Sequence, residues 1–163
     1  MDRPQLMAIT IAILAVLLIL MYTGWRARQR RQRSVAAPLT APADLGTPLG
    51  TFDGKYVATT AAGSPLDRIA VHGLGFRSSA TLTLTQAGVL VQRPGSADLW
   101  IPRADVLDRR TATWTIDRVV EPDGLELLAW NLGGTAVESY FRLLQPVEFE
   151  AAFQQLLPKR AAA

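Results

Sequence analysis

Hydrophobic and polar positions divide the chain into three regimes. In the first, from Pro4 to Trp25, no side chain is charged, and the 20 residues of "LMAITIAILAVLLILMYTGW" place apolar groups all round a helix. Such a surface suits lipid better than one-sided packing on a core. Twenty helical residues at about 1.5 Å rise span roughly 30 Å, the hydrocarbon thickness of a bilayer. The pattern predicts a transmembrane helix over 6–25, with residues 1–5 beyond the membrane. Tyr22 and Trp25 fall at the headgroup level, where aromatic rings settle. A cleavable signal peptide needs a basic start, a shorter apolar run and a small-residue cleavage site. "MDR" and "YTGWR" provide none of these.

The second regime, residues 34–50, reads "SVAAPLTAPADLGTPLG", with three prolines, two glycines and few large apolar groups. It predicts a flexible Pro-rich linker. In the third, from Thr51, apolar residues recur with period two. "KYVATT" reads as a strand. "ATLTLTQAGVLVQRPG" reads as a hairpin, with Leu82 and Leu84, then Val89 and Val91, on one face of each arm. "DLWIP" is a short strand closed by Pro102. "TATWTIDRVV" alternates through Trp114 and Ile116 to Val119 or Val120. "GLELLAWNL" and "TAVESYFRLL" flank a Gly-Gly pair suited to a tight hairpin. Near the end the period changes. Phe149, Phe153, Leu156 and Leu157 form one helical stripe, opened by Pro146 and stopped by Pro158. The expectation is a mainly β domain over 51–158, an antiparallel sandwich or barrel of six or seven strands capped by a C-terminal α-helix, with 159–163 a disordered tail.

Charge changes the picture. The net charge of +3 is concentrated in residues 26–33, where Arg26, Arg28, Arg30, Arg31 and Arg33 stand without an acidic neighbour. Residues 34–163 carry 11 basic and 13 acidic side chains, a net −2. A near-neutral domain argues against nucleic-acid binding, which depends on neutralising phosphates. Arginines beside a span keep their side in the cytoplasm. The N-terminus is therefore expected outside the plasma membrane and the domain in the cytoplasm, with the basic run touching anionic headgroups. Ala8, Ala12 and Ala15 offer small residues through which spans pair into a homo-oligomer, although alanine is ordinary packing filler in such helices. With no cysteine, disulfides, thiolate metal sites and cysteine nucleophiles are excluded.

Little in the domain resembles catalytic chemistry. His72 is the only histidine. Asp67 and Ser64 precede it, but no nucleophile elbow or oxyanion hole accompanies them. A strand-end histidine bonding a loop carbonyl explains it better, and one histidine cannot build a zinc site alone. "HGLGFRS" holds a G-x-G without a third glycine or a following helix, so the glycines read as turn formers. Arg77 beside them is a candidate anion contact, and His72 and Arg77 together a tentative anion or partner contact. Asp105, Asp108, Arg109 and Arg110 read as a solvated turn, as do Glu121 and Asp123 around "PDG". Trp114 and Trp130 read as core, while an exposed Trp100 would offer a partner groove. No catalytic residue, cofactor or metal ligand is assigned.

The stretches "LTLTQAGVLVQRPGSADLWIPRADVLDRR", "YVATT" and "LDRIAVHGLGFR" resemble bacterial pleckstrin-homology (PH)-like domains. More closely, the chain resembles a family of short actinobacterial proteins that join one span and an arginine cluster to such a domain. That resemblance implies a PH-like superfold, a genetic context among pyrimidine-biosynthesis genes, and a non-enzymatic domain binding an unknown cytoplasmic protein partner at the membrane. Its alternatives are a structural subunit of a membrane complex, or a small membrane-bound enzyme using His72.

Overall fold

The computed structural model describes residues 2–157 apart from 113, 116, 117 and 120–123, with 114, 115, 118 and 119 as backbone only. The expectations for Ile116, Val120, Glu121, Asp123, Pro158 and 159–163, and for the side chains of Trp114 and Val119, lie outside the described residues. The chain divides into two compact units, residues 1–34 and 35–163.

The first unit is one helix, α1 (Arg3–Arg31). Pro4 costs no hydrogen bond in the first turn, and Asp2 N donates to Gln5 Oε1 at 3.2 Å. None of its side chains is buried, and it is long and apolar enough to cross a membrane. The hydroxyls of Thr10 and Thr23 donate to the carbonyls of Leu6 and Leu20 at 2.9 and 3.0 Å. Both threonine hydroxyls inside the apolar run are thereby satisfied within the helix. The helix does not stop at Trp25. It continues through the arginine run, where Arg28, Arg30 and Arg31 complement the negative end of the dipole.

The second unit contains β1 (Pro48–Ala61), β2 (Ser78–Thr85), β3 (Gly88–Gln92), β4 (Leu99–Pro102), β5 (Val106–Ala112), β6 (Trp114–Thr115), β7 (Arg118–Val119), β8 (Leu125–Leu132), β9 (Thr135–Leu143) and α2 (Pro146–Leu156). Seven strands form one antiparallel sheet in the order β4-β3-β2-β1-β9-β8-β5, and β6 and β7 pair separately. The long strand β1 couples the two halves. Residues 48–56 pair with β2 and residues 54–61 with β9. Gly54 lies where both pairings overlap, and a Cβ there would collide with the Arg142 carbonyl. Gly50 makes room for the Phe52 ring, whose carbons lie 2.6–2.7 Å from where its Cβ would be. Both glycines are therefore steric requirements of the strand.

The sheet encloses Phe52, Tyr56, Leu82, Leu84, Val89, Val91, Ile101, Trp130 and Phe141, and α2 closes this core with Phe149, Ala152, Phe153 and Leu156. Phe149 meets Phe52 edge-on at 5.4 Å. The predicted helical stripe and the Leu82/Leu84 and Val89/Val91 faces thus hold. The Gly133–Gly134 hairpin also holds, both residues having positive φ, at 56° and 88°. A second cluster, Val57, Leu125, Leu127, Ala129 and Tyr140, lies apart from this core. Consequently β8 is buried along both faces from Leu125 to Trp130.

Four expectations change. The stretch 34–50 is held to the domain at both ends: Val35 packs against the core, Leu39 bridges Trp100, and β1 starts at Pro48. Trp100 is 5% exposed and so offers no open groove. "TATWTIDRVV" is not one strand, because β5 ends at Ala112 and a separate two-stranded ladder follows. Of the charged "DVLDRR", only Asp105 lies in a turn. The rest belongs to β5, where Arg109 and Arg110 pair with carboxylates that the sheet buries.

Candidate functional site

The connection between β1 and β2 carries the "LDRIAVHGLGFR" stretch. Its apolar residues Ile69 and Leu74 are buried in the core. Its carbonyls accept from donors on the sheet and within the stretch itself. Tyr56 Oη donates to Leu74 O at 2.6 Å, and Thr59 N donates to the same oxygen at 2.9 Å. Arg93, itself buried, donates to Gly73 O at 2.9 Å and to Ala97 O at 2.7 Å. Its guanidinium lies 4.9 Å from the centre of the Tyr56 ring, within cation–π reach. Arg68 donates to Gly75 O at 3.0 Å. The stretch is therefore a plug that the sheet grips by its backbone.

Beneath the plug runs a chain of buried hydroxyls. Tyr56 Oη lies 2.7 Å from Thr59 Oγ1, which lies 2.6 Å from Ser139 Oγ. Ser139 Oγ also accepts from Trp130 Nε1 at 2.9 Å. Burial pushes the Tyr56 phenol up to about 12, outweighing the hydrogen bond from Thr59 and the charge of Arg93. The phenol stays neutral and serves as a donor.

His72 stands on the outer side of the plug with φ 56°, a rare conformation for a side-chain-bearing residue. Its Nε2 lies 2.9 Å from Val35 O. A carbonyl only accepts, so Nε2 carries the proton. The ring thus bonds a loop carbonyl, and among the described residues no hydrogen bond joins it to Asp67 or Ser64. Arg77 is exposed at the end of the same connection. Within the glycine turn between them, Leu74 N donates to Val71 O at 3.1 Å.

Two ion clusters flank β8. Arg109 holds Glu126 with two bonds of 2.8 and 2.9 Å and reaches Glu150 of α2 at 3.1 Å. Arg110 holds Glu138 at 3.0 Å, and Tyr140 Oη donates to the same carboxylate at 3.2 Å. Burial, then the Glu138 charge, raises the Tyr140 phenol. Both arginines tie strands together. Among the described residues no cluster of His, Asp and Glu has the form of a metal site.

A cleft of about 530 Å³ is lined by residues of β9, β1 and β2 around Gly54. Sequence reading missed it. Lys55 pairs in register with Ser79 on one side and Arg142 on the other. In the next row Asp53 pairs with Thr81, and Leu144 N donates to Asp53 O at 3.0 Å. Pro94, Leu143 and Leu144 supply apolar walls. The polar alternation of β1 and β2 hinted at a polar outer face. Nothing local brought Arg142 to Lys55, since only the β1–β9 register does so.

A seven-stranded antiparallel sheet coupled through one long strand and closed by a C-terminal helix is the architecture that the resemblance implied. The sequence profile of the family described as "Bacterial PH domain-like" matches residues 35–156. The chain belongs to this family. The match begins at Val35, the residue whose carbonyl His72 holds, so the PH-like domain includes the segment ahead of β1. Among solved structures, the C-terminal domain of an unknown protein from Leishmania infantum is similar at 14% identity and TM-score 0.46, over 68% of this chain and 83% of that one. Two structures of Vav1 are similar at TM-score 0.40. One is bound to an allosteric inhibitor, at 15% identity over 82% of this chain. The other is an activated truncation in its apo form, at 14% identity over 85% of this chain. The chain spans about a third of each Vav1 structure, 34% and 35%. A comparison with curated proteins gave no match.

Proposed function

We propose that the protein is a single-pass component of the plasma membrane that presents its PH-like domain in the cytoplasm to recruit a protein partner. One observation carries the reading. A helix long and apolar enough to cross a membrane, ending in a run of arginines, precedes a PH-like domain in the same chain. The arginines favour the cytoplasmic side and anionic headgroups, with Tyr22 and Trp25 at the interface. The domain acts without catalysis and takes no nucleic acid, cofactor or metal. His72 and Arg77 serve as outer contacts beside the plug. The recruiting surface lies beside α2, where Leu144 and Val147 are 78% and 75% exposed.

Proximity labelling in the native cell tests this, with the labelling enzyme fused after Ala163. The expected result is a small set of cytoplasmic proteins whose labelling is lost in the Leu144→Asp/Val147→Asp variant. Labelling that this variant leaves unchanged would remove the recruiting surface.

A further inference from the structure

The cleft around Gly54 holds an unresolved electrostatic problem. Lys55 and Arg142 are opposite one another on adjacent strands, and like charges in this position repel. Among the described residues the only carboxylate lining the cleft is Asp53, and its Oδ1 accepts from the Thr81 hydroxyl at 2.7 Å. Among the described residues neither Lys55 nor Arg142 forms an ion pair, whereas Arg109 and Arg110 are both paired. Ser79, directly across from Lys55, adds a hydroxyl donor to the same row. Ammonium, guanidinium and hydroxyl together form a donor set for an oxyanion.

Charge limits what that oxyanion carries. Two cations and one carboxylate leave the cleft with a single positive charge, and Asp53 repels a second negative group. Pro94, Leu143 and Leu144 offer an apolar wall beside the donors. A volume of about 530 Å³ falls within the range of small-molecule sites.

We infer that the cleft binds a singly charged oxyanion borne on an apolar body, with Lys55, Arg142 and Ser79 as its donors. Asp53 denies a polyanion any advantage over a monoanion. A soluble monocarboxylate and the phosphodiester of an anionic lipid share this chemistry. The inference does not rest on protein recruitment: Leu144 borders both surfaces, but Lys55→Gln and Arg142→Gln test the cleft alone.

The test is titration of the full chain in phosphatidylcholine nanodiscs, following the amide signals of Lys55, Ser79 and Arg142 by nuclear magnetic resonance. Benzoate, acetate and pyrophosphate are the soluble probes, and discs containing phosphatidylglycerol are the lipid arm. The expected result is a saturable shift at all three residues with benzoate, with phosphatidylglycerol, or with both. Benzoate alone assigns the site to a soluble ligand, and the lipid alone to a headgroup. Acetate binds more weakly than benzoate, and pyrophosphate no more tightly. Lys55→Gln or Arg142→Gln weakens binding by about tenfold or more, as loss of a charge-assisted bond predicts. Both side chains are exposed, so the fold survives these changes. No saturable shift in any arm, tighter binding of pyrophosphate, or unchanged affinity in the variants would overturn the assignment.

Discussion

Tyr56 joins the core to the plug with one oxygen. Its hydroxyl donates to Leu74 O and meets Thr59, and its ring carries the Arg93 guanidinium. In Tyr56→Phe, Leu74 O still accepts from Thr59 N, while Thr59 and Ser139 keep each other. The expected cost is therefore modest, about 1–2 kcal/mol in denaturant unfolding. The same residue sets an alkaline limit. In the unfolded chain the phenol ionises near 10, and in the folded domain near about 12. The stability this group contributes is whole below pH 10 and is lost as pH rises from 10 to 12. Unfolding free energy across that window should fall more steeply in the wild type than in Tyr56→Phe, by on the order of 2 kcal/mol. Equal slopes would deny the buried neutral phenol. None of this was legible beforehand. "KYVATT" disclosed a strand and "LDRIAVHGLGFR" a distinctive stretch, but their meeting depends on a hydrogen bond spanning the whole connection.

At the scale of elements, Arg109 clamps β5 to β8 and to α2 through Glu126 and Glu150. Glu126 is 3% exposed. Arg109→Ala would take two charge-assisted bonds from that buried carboxylate, at a cost of about 1.5–3 kcal/mol. Arg109→Met combined with Glu126→Leu should recover most of the loss, because it removes both charges from the interior. Thermal unfolding of the two variants checks this, and equal destabilisation would reject the clamp. Strands with clean alternation, such as β2 and β3, and the amphipathic α2 were readable because burial alone dictated their pattern. β5 was not, because its charged residues face buried partners on neighbouring strands and so imitate a loop. β1 was read short because Pro48, Gly50 and Gly54 resemble breakers, although two of them are glycines that close packing requires. The Lys55–Arg142 cleft escaped for a related reason, since register between distant strands leaves no local trace.

At the scale of the molecule, the account joins an apolar helix and its arginines to a family domain that holds its own leading segment. His72 grips Val35 and Leu39 bridges Trp100, so the domain's grasp begins one residue after the first unit ends. The central claim is the side of the membrane on which that domain stands. Its most direct test is a pair of fusions after Ala163, one to alkaline phosphatase, which is active only outside the membrane, and one to a green fluorescent protein that folds in the cytoplasm. The account predicts a fluorescent cell without phosphatase activity, and loss of that asymmetry when Arg26, Arg28, Arg30, Arg31 and Arg33 are replaced by glutamine. An active phosphatase on the unmodified chain would place the domain outside and contradict the reading of the arginines and the cytoplasmic partner together.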